Sequence, residues 1–372
     1  MSSSSYDYTQ RLLRTDPTAP RAPHLGTQPA SAASSEQYLA AILRGDLTAS
    51  LPNIIDVWTQ VNPDQQALDA MTDSLTTFTH YATNLGVATW GDVPADLVRD
   101  FIAYPDTALT DQAWRLRKNT VHGAYLALID ANLHDGASPA EGLDALTATL
   151  PTDQPRRNFS ATPDKGKSGR SYTERHHCRP ATHDEVLLTR LACRLAGTSR
   201  SQGLPAAAVA LCTASATTGE APQVLWRHLA QGGAVALPGR LAPPGREETA
   251  ISARTVALDP WSQQALTDWQ QERSINRPVS ADESVLYSGN QPLTSRSAQV
   301  CADQAIARAF EIADLRHEND ITAGSLRLWA AARHVTTLAT LPEGAAVAGV
   351  DPLTLHRQIT QQGDRRLLHR SA

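Results

Sequence analysis

The stretch from Asn319 to Ile359, NDITAGSLRLWAAARHVTTLATLPEGAAVAGVDPLTLHRQI, decides how this chain is read. Thr322-Ala-Gly-Ser-Leu-Arg327 has the form of a loop entering a helix. Thr322 and Ser325 are candidate N-caps, since a hydroxyl there accepts from the first-turn N–H groups that have no helical partner. Leu326, Ala330, Val335 and Leu338 supply the apolar side of the helix, with polar residues between. Pro342, Gly344 and Gly349 then break the pattern, and a short terminal helix begins near Pro352.

This layout resembles the second box of the tyrosine recombinase (phage integrase) family, which reads roughly T-P-H-x-L-R-H-x-x-A-x-x-L. A Leu-Gly-His follows there, and the nucleophilic tyrosine comes shortly after. By that resemblance Arg327 stands at the second catalytic arginine. Gly324 replaces a histidine and Gly349-Val350 replaces Gly-His. The tyrosine's place falls near Ile359, and the last tyrosine in the chain is Tyr287. The resemblance implies a mainly α fold with a small antiparallel β-sheet, in two domains: a helical core-binding domain and an α+β catalytic-like domain.

The rest of the chain is read in that light. Its 372 residues suffice for two domains, and at 41% hydrophobic they can bury a core. No apolar run is long enough for a membrane span. MSSSSYDYTQ lacks a basic region followed by an apolar one, so no secretory signal is expected. Cys178, Cys193, Cys212 and Cys301 are far apart, which suits a reducing cytoplasm. Net charge is −5, so the whole chain does not advertise nucleic acid, and the distribution of its basic residues matters more.

Residues 1–34, rich in Ser, Thr, Pro and Ala, read as a disordered arm. Residues 35–150 read as a helical bundle. Helices are expected from Ser35, over Leu51–Val61, Gln65–Leu85, Ala95–Ala103 and Asp111–Leu133 (capped by Thr110), and from Ser138-Pro-Ala-Glu. The order resembles the family's core-binding domain, in which the helix matching Asp111–Leu133 lies near the major groove. Arg115, Arg117, Lys118 and His122 are its candidate DNA contacts. Arg115, Lys118 and His122 share a helical face and Arg117 does not; an ordinary solvated face is the competing reading.

Residues 151–182 read as a basic linker. Arg156, Arg157, Lys165, Lys167, Arg170, Arg175 and Arg179 outnumber Asp153, Asp164 and Glu174. Lys165, Lys167 and Arg170 are further candidate phosphate contacts, which would make binding strongly salt-dependent. His176, His177, Cys178 and His183 match no standard zinc spacing, so no metal and no cofactor is expected.

The catalytic-like domain is expected over 183–372. Thr182-His-Asp-Glu has the form of a capping box. A buried helix starts near Gly203, and Ala214–Leu229 resembles the family's first box, with Glu220, Leu225 and Trp226 in register. Thr217 then occupies the first catalytic arginine's place. Ala234–Pro238, Thr249–Ser252 and Arg254–Leu258 read as short strands around Pro243-Pro-Gly. They resemble the family's small sheet, and Arg254 matches its R-x-V-P-L arginine. The hairpin lysine has no counterpart, because no lysine follows Lys167; Arg240 or Arg246 could supply charge but not a proton. Helices are expected over Trp261–Arg273 and Ser295–Ile312, the latter carrying Arg296 and Gln299 as candidate base or phosphate contacts.

Of the family's catalytic set only Arg327 is matched. A nucleophile has no substitute in such a mechanism. The expectation is a protein that clamps double-stranded DNA through both domains and the linker without cutting it, in the cytoplasm and associated with the nucleoid. A second copy or an active recombinase would be its protein partner, and no membrane is involved. The alternatives are an active recombinase with divergent catalytic residues and a helical protein–protein scaffold.

Overall fold

The computed structural model of this chain describes residues 45–103, 111–143, 178–198, 201–230, 233–241, 250–275, 277–316 and 321–360. The expected N-terminal arm, the helix from Ser35, the cap Thr110, most of the linker with Lys165, Lys167 and Arg170, and Arg246 lie outside these residues. The chain divides into two compact units, one within Met1–Thr59 and Ala70–Leu143, the other within Gln60–Asp69 and Asp144–Ala372. Among the described residues no helix is long and apolar enough to cross a membrane.

The first unit holds most of α1 (Leu51–Val61) and α2 (Gln65–Asn84), with all of α3 (Ala95–Ala103) and α4 (Asp111–Asp130). These ends fall within a few residues of the expected ones. In α2, Met71, Leu75 and Phe78 recur at three- and four-residue intervals and are all buried. Phe78 stacks edge-on against Phe101 of α3, and Trp90 against Tyr125 of α4. The Tyr125 hydroxyl donates to the Trp90 carbonyl at 2.8 Å, satisfying a polar atom that burial would otherwise strand. Ser138-Pro-Ala-Glu forms a turn and not the expected helix. The Glu141 N–H closes it on the Ser138 carbonyl, and Gly142 follows at φ 72°, a left-handed conformation that ends helical propagation.

The second unit contains α5 (His183–Ala196), α6 (Leu204–Thr213), α7 (Pro260–Ser274), α8 (Arg296–Ile312), α9 (Ala323–Ala332), α10 (Leu341–Ala348) and α11 (Pro352–Thr360). Its antiparallel sheet runs β1 (Leu229–Ala230), β2 (Ala234–Leu237), β3 (Arg254–Ala257), in that order. Leu237 pairs with Arg254 and Ala234 with Ala257. In the expected strand Thr249–Ser252, among the described residues, Ile251 pairs in an isolated bridge to Arg240.

Local chemistry accounts for the ends of these helices. Asp259 caps α7 by accepting from Ser262 N at 2.8 Å, ahead of Pro260 in the first turn. The Thr182 N–H donates to the Glu185 carboxylate at 2.7 Å at the start of α5. Thr322 caps α9, accepting from Gly324 N, while the Ser325 hydroxyl accepts from Thr322 N.

The decisive stretch differs from expectation after Ala332. Pro342 and Gly344 sit inside α10 and do not break it. Proline is tolerated in a first turn because its missing N–H has no helical partner there. Gly344 lets α10 approach α9: a Cβ on it would lie 2.4 Å from Val335 Cγ2 and 2.7 Å from the Ala331 carbonyl oxygen. Leu338, expected in the core, is exposed because α9 has already ended. Leu328, Ala331, Val335, Ala345, Ala348, Leu355 and Ile359 form one apolar cluster across α9, α10 and α11.

A candidate anion site around Arg327

Three segments meet at the C-terminal end of α10: the loop after α6, the start of β3, and α9. The loop begins with Ser215 at φ 74°, a costly conformation for a residue with a side chain. It continues to Glu220, which is wholly buried. The Glu220 N–H donates to Thr217 Oγ1 at 3.1 Å, and the Thr217 N–H to Glu220 Oε2 at 2.9 Å. Thr217, at the place of the family's first arginine, is therefore the cap of its own turn.

Arg254 enters this loop from β3. Its Nη1 donates to Glu220 Oε1 at 2.7 Å and to the Ser252 carbonyl at 3.1 Å. Its Nη2 donates to the Ser215 carbonyl and to Glu220 Oε2. Its Nε donates to the Val347 carbonyl at 2.8 Å. A guanidinium has five N–H donors, and here each has a protein acceptor. Arg254 was expected to touch DNA; instead it is spent on the protein, clipping the loop, the strand and the end of α10 together.

Arg327 is the adjacent guanidinium. It is 7% exposed. Its Nη2 donates to the Ala348 carbonyl at 2.6 Å, so the two arginines grip consecutive carbonyls at the negative end of α10. Arg327 Nε is buried and has no hydrogen-bond partner among the described residues. Burial, and then the neighbouring charge of Arg254, pull its pKa down to about 10; Glu220 pushes the other way and Arg240 again lowers it. Arg327 thus stays charged at neutral pH, buried, with donors unspent. A buried cation in that condition is costly unless an anion completes it.

Gly349 makes the junction possible. It terminates α10 at φ 68°, and a Cβ there would lie 2.8 Å from the Ser252 carbonyl oxygen and 2.9 Å from Arg254 Nη1. The glycine of the family's Gly-His is thus matched for a physical reason, while Val350 supplies no proton-transfer group.

Gly324, at the histidine's place, is not open space. A Cβ there would lie 3.0 Å from Cys178 Sγ and 3.3 Å from Thr322 Oγ1. Thr322 Oγ1 donates to that sulfur at 3.0 Å, and Ser325 Oγ lies 3.2 Å from it. The sequence offers Cys178 only as a possible metal ligand. Its partners lie more than 140 residues away in sequence, so no local pattern could announce the contact. Restoring histidine at 324 is expected to overpack this corner by about 1–3 kcal/mol. Gly324→His should therefore melt below Gly324→His/Cys178→Ala in thermal unfolding; equal melting points would refute the contact.

Other expected contacts sort differently. Arg296 is exposed on the first turn of α8 and Gln299 is half-buried beneath it. A Cβ on Gly219 would lie 3.9 Å from Gln299 Nε2 and 4.0 Å from Arg240 Cδ, so both reach the loop that carries Glu220. In the first unit Lys118 and His122 are 5% and 2% exposed, which corrects their reading as an open basic face. The helical turn that groups them turns them inward. Arg115 is half-buried. Arg117 donates to the Phe101 carbonyl at 3.3 Å and lies over the Phe101 ring.

The position near the expected tyrosine is equally telling. Ile359, on α11, is 2% exposed and packs in the apolar cluster of α9 and α10.

No protein-family model and no curated protein matches this chain. Among solved structures it is similar to XerA recombinase, at 12% identity and a TM-score of 0.34, covering 85% of this chain and 98% of that one. It is similar to XerH site-specific recombinase bound to a palindromic difH substrate, at 13% identity and 0.38, covering 87% and 95%. A lambda integrase dimer bound to a COC' core site gives 12% and 0.35, covering 89% and 82%. Likeness at this level says nothing of what this chain binds, and the functional reading rests on its own residues.

Proposed function

We propose that this protein binds the phosphate backbone of double-stranded DNA, with Arg327 as the central phosphate ligand, and does not cleave it. One observation carries the reading: Arg327 is a buried, charged guanidinium with unspent donors beside a second arginine whose donors are all committed. Arginine donates two parallel bonds to phosphate, and such bonds are strong because the acceptor is ionised. Arg296, Gln299 and Arg115 are the secondary contacts, with Lys165, Lys167 and Arg170 on the chain segment that joins the two units.

What stands at the positions that the resemblance matches to reacting groups supports the non-cleaving reading. Ile359 is a core residue, Gly324 is filled by Cys178, Val350 is apolar, and Thr217 caps its own turn. On this reading the groups at these positions hold a phosphate and do not attack it.

The test is duplex binding by fluorescence anisotropy across a salt series, with a nicked suicide substrate run in parallel. Binding should weaken steeply with salt, because each phosphate contact releases counterions. Covalent protein–DNA adduct on the suicide substrate would overturn the non-cleaving reading. A scaffold role, favoured by the inward-facing Lys118 and His122, would show as no salt-sensitive binding.

A further inference from the structure

We infer that Arg254 is a guard: by occupying Glu220 it keeps that carboxylate from capturing Arg327, and so leaves Arg327 open to a phosphate. The inference rests on the reading of Arg327 as the phosphate ligand and makes Arg254 and Glu220 positioning residues for it.

Glu220 is wholly buried, so its charge must be compensated by some cation. Both of its oxygens are taken, Oε1 by Arg254 Nη1 and Oε2 by Arg254 Nη2 and the Thr217 N–H. Arg327 is close enough to feel both members of the pair, in opposite senses. The two guanidiniums are also tied to adjacent carbonyls, Val347 and Ala348. Were Arg254 removed, Glu220 would become a pre-placed anion within the fold. An internal partner binds without the entropy cost of association, so it would outcompete a phosphate from solution.

Counting Glu220, Arg254 and Arg327 alone, the local charge is one positive in the native protein. It falls to zero in Arg254→Gln and rises to two positive in Glu220→Gln. In the double variant Glu220→Gln/Arg254→Gln it returns to one positive. Arg240 is present in all four and does not alter the comparison. Anion affinity should follow that order.

The experiment titrates full-length protein and the three variants with inorganic phosphate and with a duplex, following the Arg327 Nε–H resonance by 15N NMR, with thermal unfolding to verify folding. Arg254→Gln is expected to bind at least about tenfold more weakly, Glu220→Gln severalfold more tightly, and the double variant within about threefold of native, since one charge-assisted bond corresponds to roughly tenfold or more. A merely structural role would weaken Glu220→Gln, because the loop loses its anchor, and would not restore the double variant. Native-strength binding by folded Arg254→Gln, or weakened binding by Glu220→Gln, overturns the guard. Should Arg254→Gln fail to fold, the other two variants still decide. If the native protein binds neither probe, the reading of Arg327 falls and the guard with it. If native binding is lost in Arg327→Gln but the order above is not found, only the guard falls.

Discussion

Arg327→Gln is expected to weaken duplex binding by roughly 10- to 150-fold, the equivalent of about 1.5–3 kcal/mol for a hydrogen-bonded charge. Glutamine keeps a donor and much of the length but loses the charge and the fork. The salt dependence should also become shallower by about one unit of slope, as it does when one phosphate contact is removed. A residue that only packed against α10 would leave that slope unchanged. The substitution also removes the guanidinium bond to the Ala348 carbonyl, so the melting temperature must be recorded alongside. Anisotropy over the salt series checks both quantities, and an unaltered slope with reduced affinity would assign Arg327 to structure alone.

The second large effect concerns stability. Asp259→Ala is expected to destabilise the second unit by about 3–5 kcal/mol, because it leaves Arg190 buried without its counter-ion. Arg190 is fully buried, donates through Nη2 to Asp259, and lies over the rings of Trp261 and Trp329. Asp259 also caps α7 through Ser262. For a domain of this size the loss corresponds to a melting point lower by roughly 6–20 °C. Trp329 lies on α9, two residues from Arg327, so the cluster also anchors the helix that presents the site.

The same pair sets an acid limit. Burial pushes the Asp259 carboxyl up, but Arg190 and the Ser262 N–H outweigh it and hold it below the usual carboxylate range. Since the folded carboxyl titrates below the unfolded one, the unfolded chain takes the proton first as pH falls. The stabilisation is whole above about pH 4, the unfolded value, and drains away beneath it. Melting curves through that range should fall less steeply in Asp259→Asn than in the native protein.

Short-range chemistry made most helices readable from sequence. Apolar spacing marked the helices of the first unit and α7, and hydroxyl caps marked the starts of α5 and α9; the caps Asp259 of α7 and Ser295 of α8 came only with the structure. The misreadings share one origin. Gly344 and Pro342 looked like breakers because sequence does not show that α10 must touch Ala331 and Val335. Lys118 and His122 looked like a solvated face because helical spacing groups residues without saying which way the group faces.

By itself, then, the order of residues determined that Arg327 opens a capped helix, that no tyrosine follows Tyr287, and that no lysine follows Lys167. Those facts are local or compositional and need no fold. Only the tertiary structure decided that Arg254 is fully spent while Arg327 is not, that Cys178 fills the notch at Gly324, and that Ile359 is core. Each depends on which donors find acceptors across long loops, and that accounting exists only once the chain has closed.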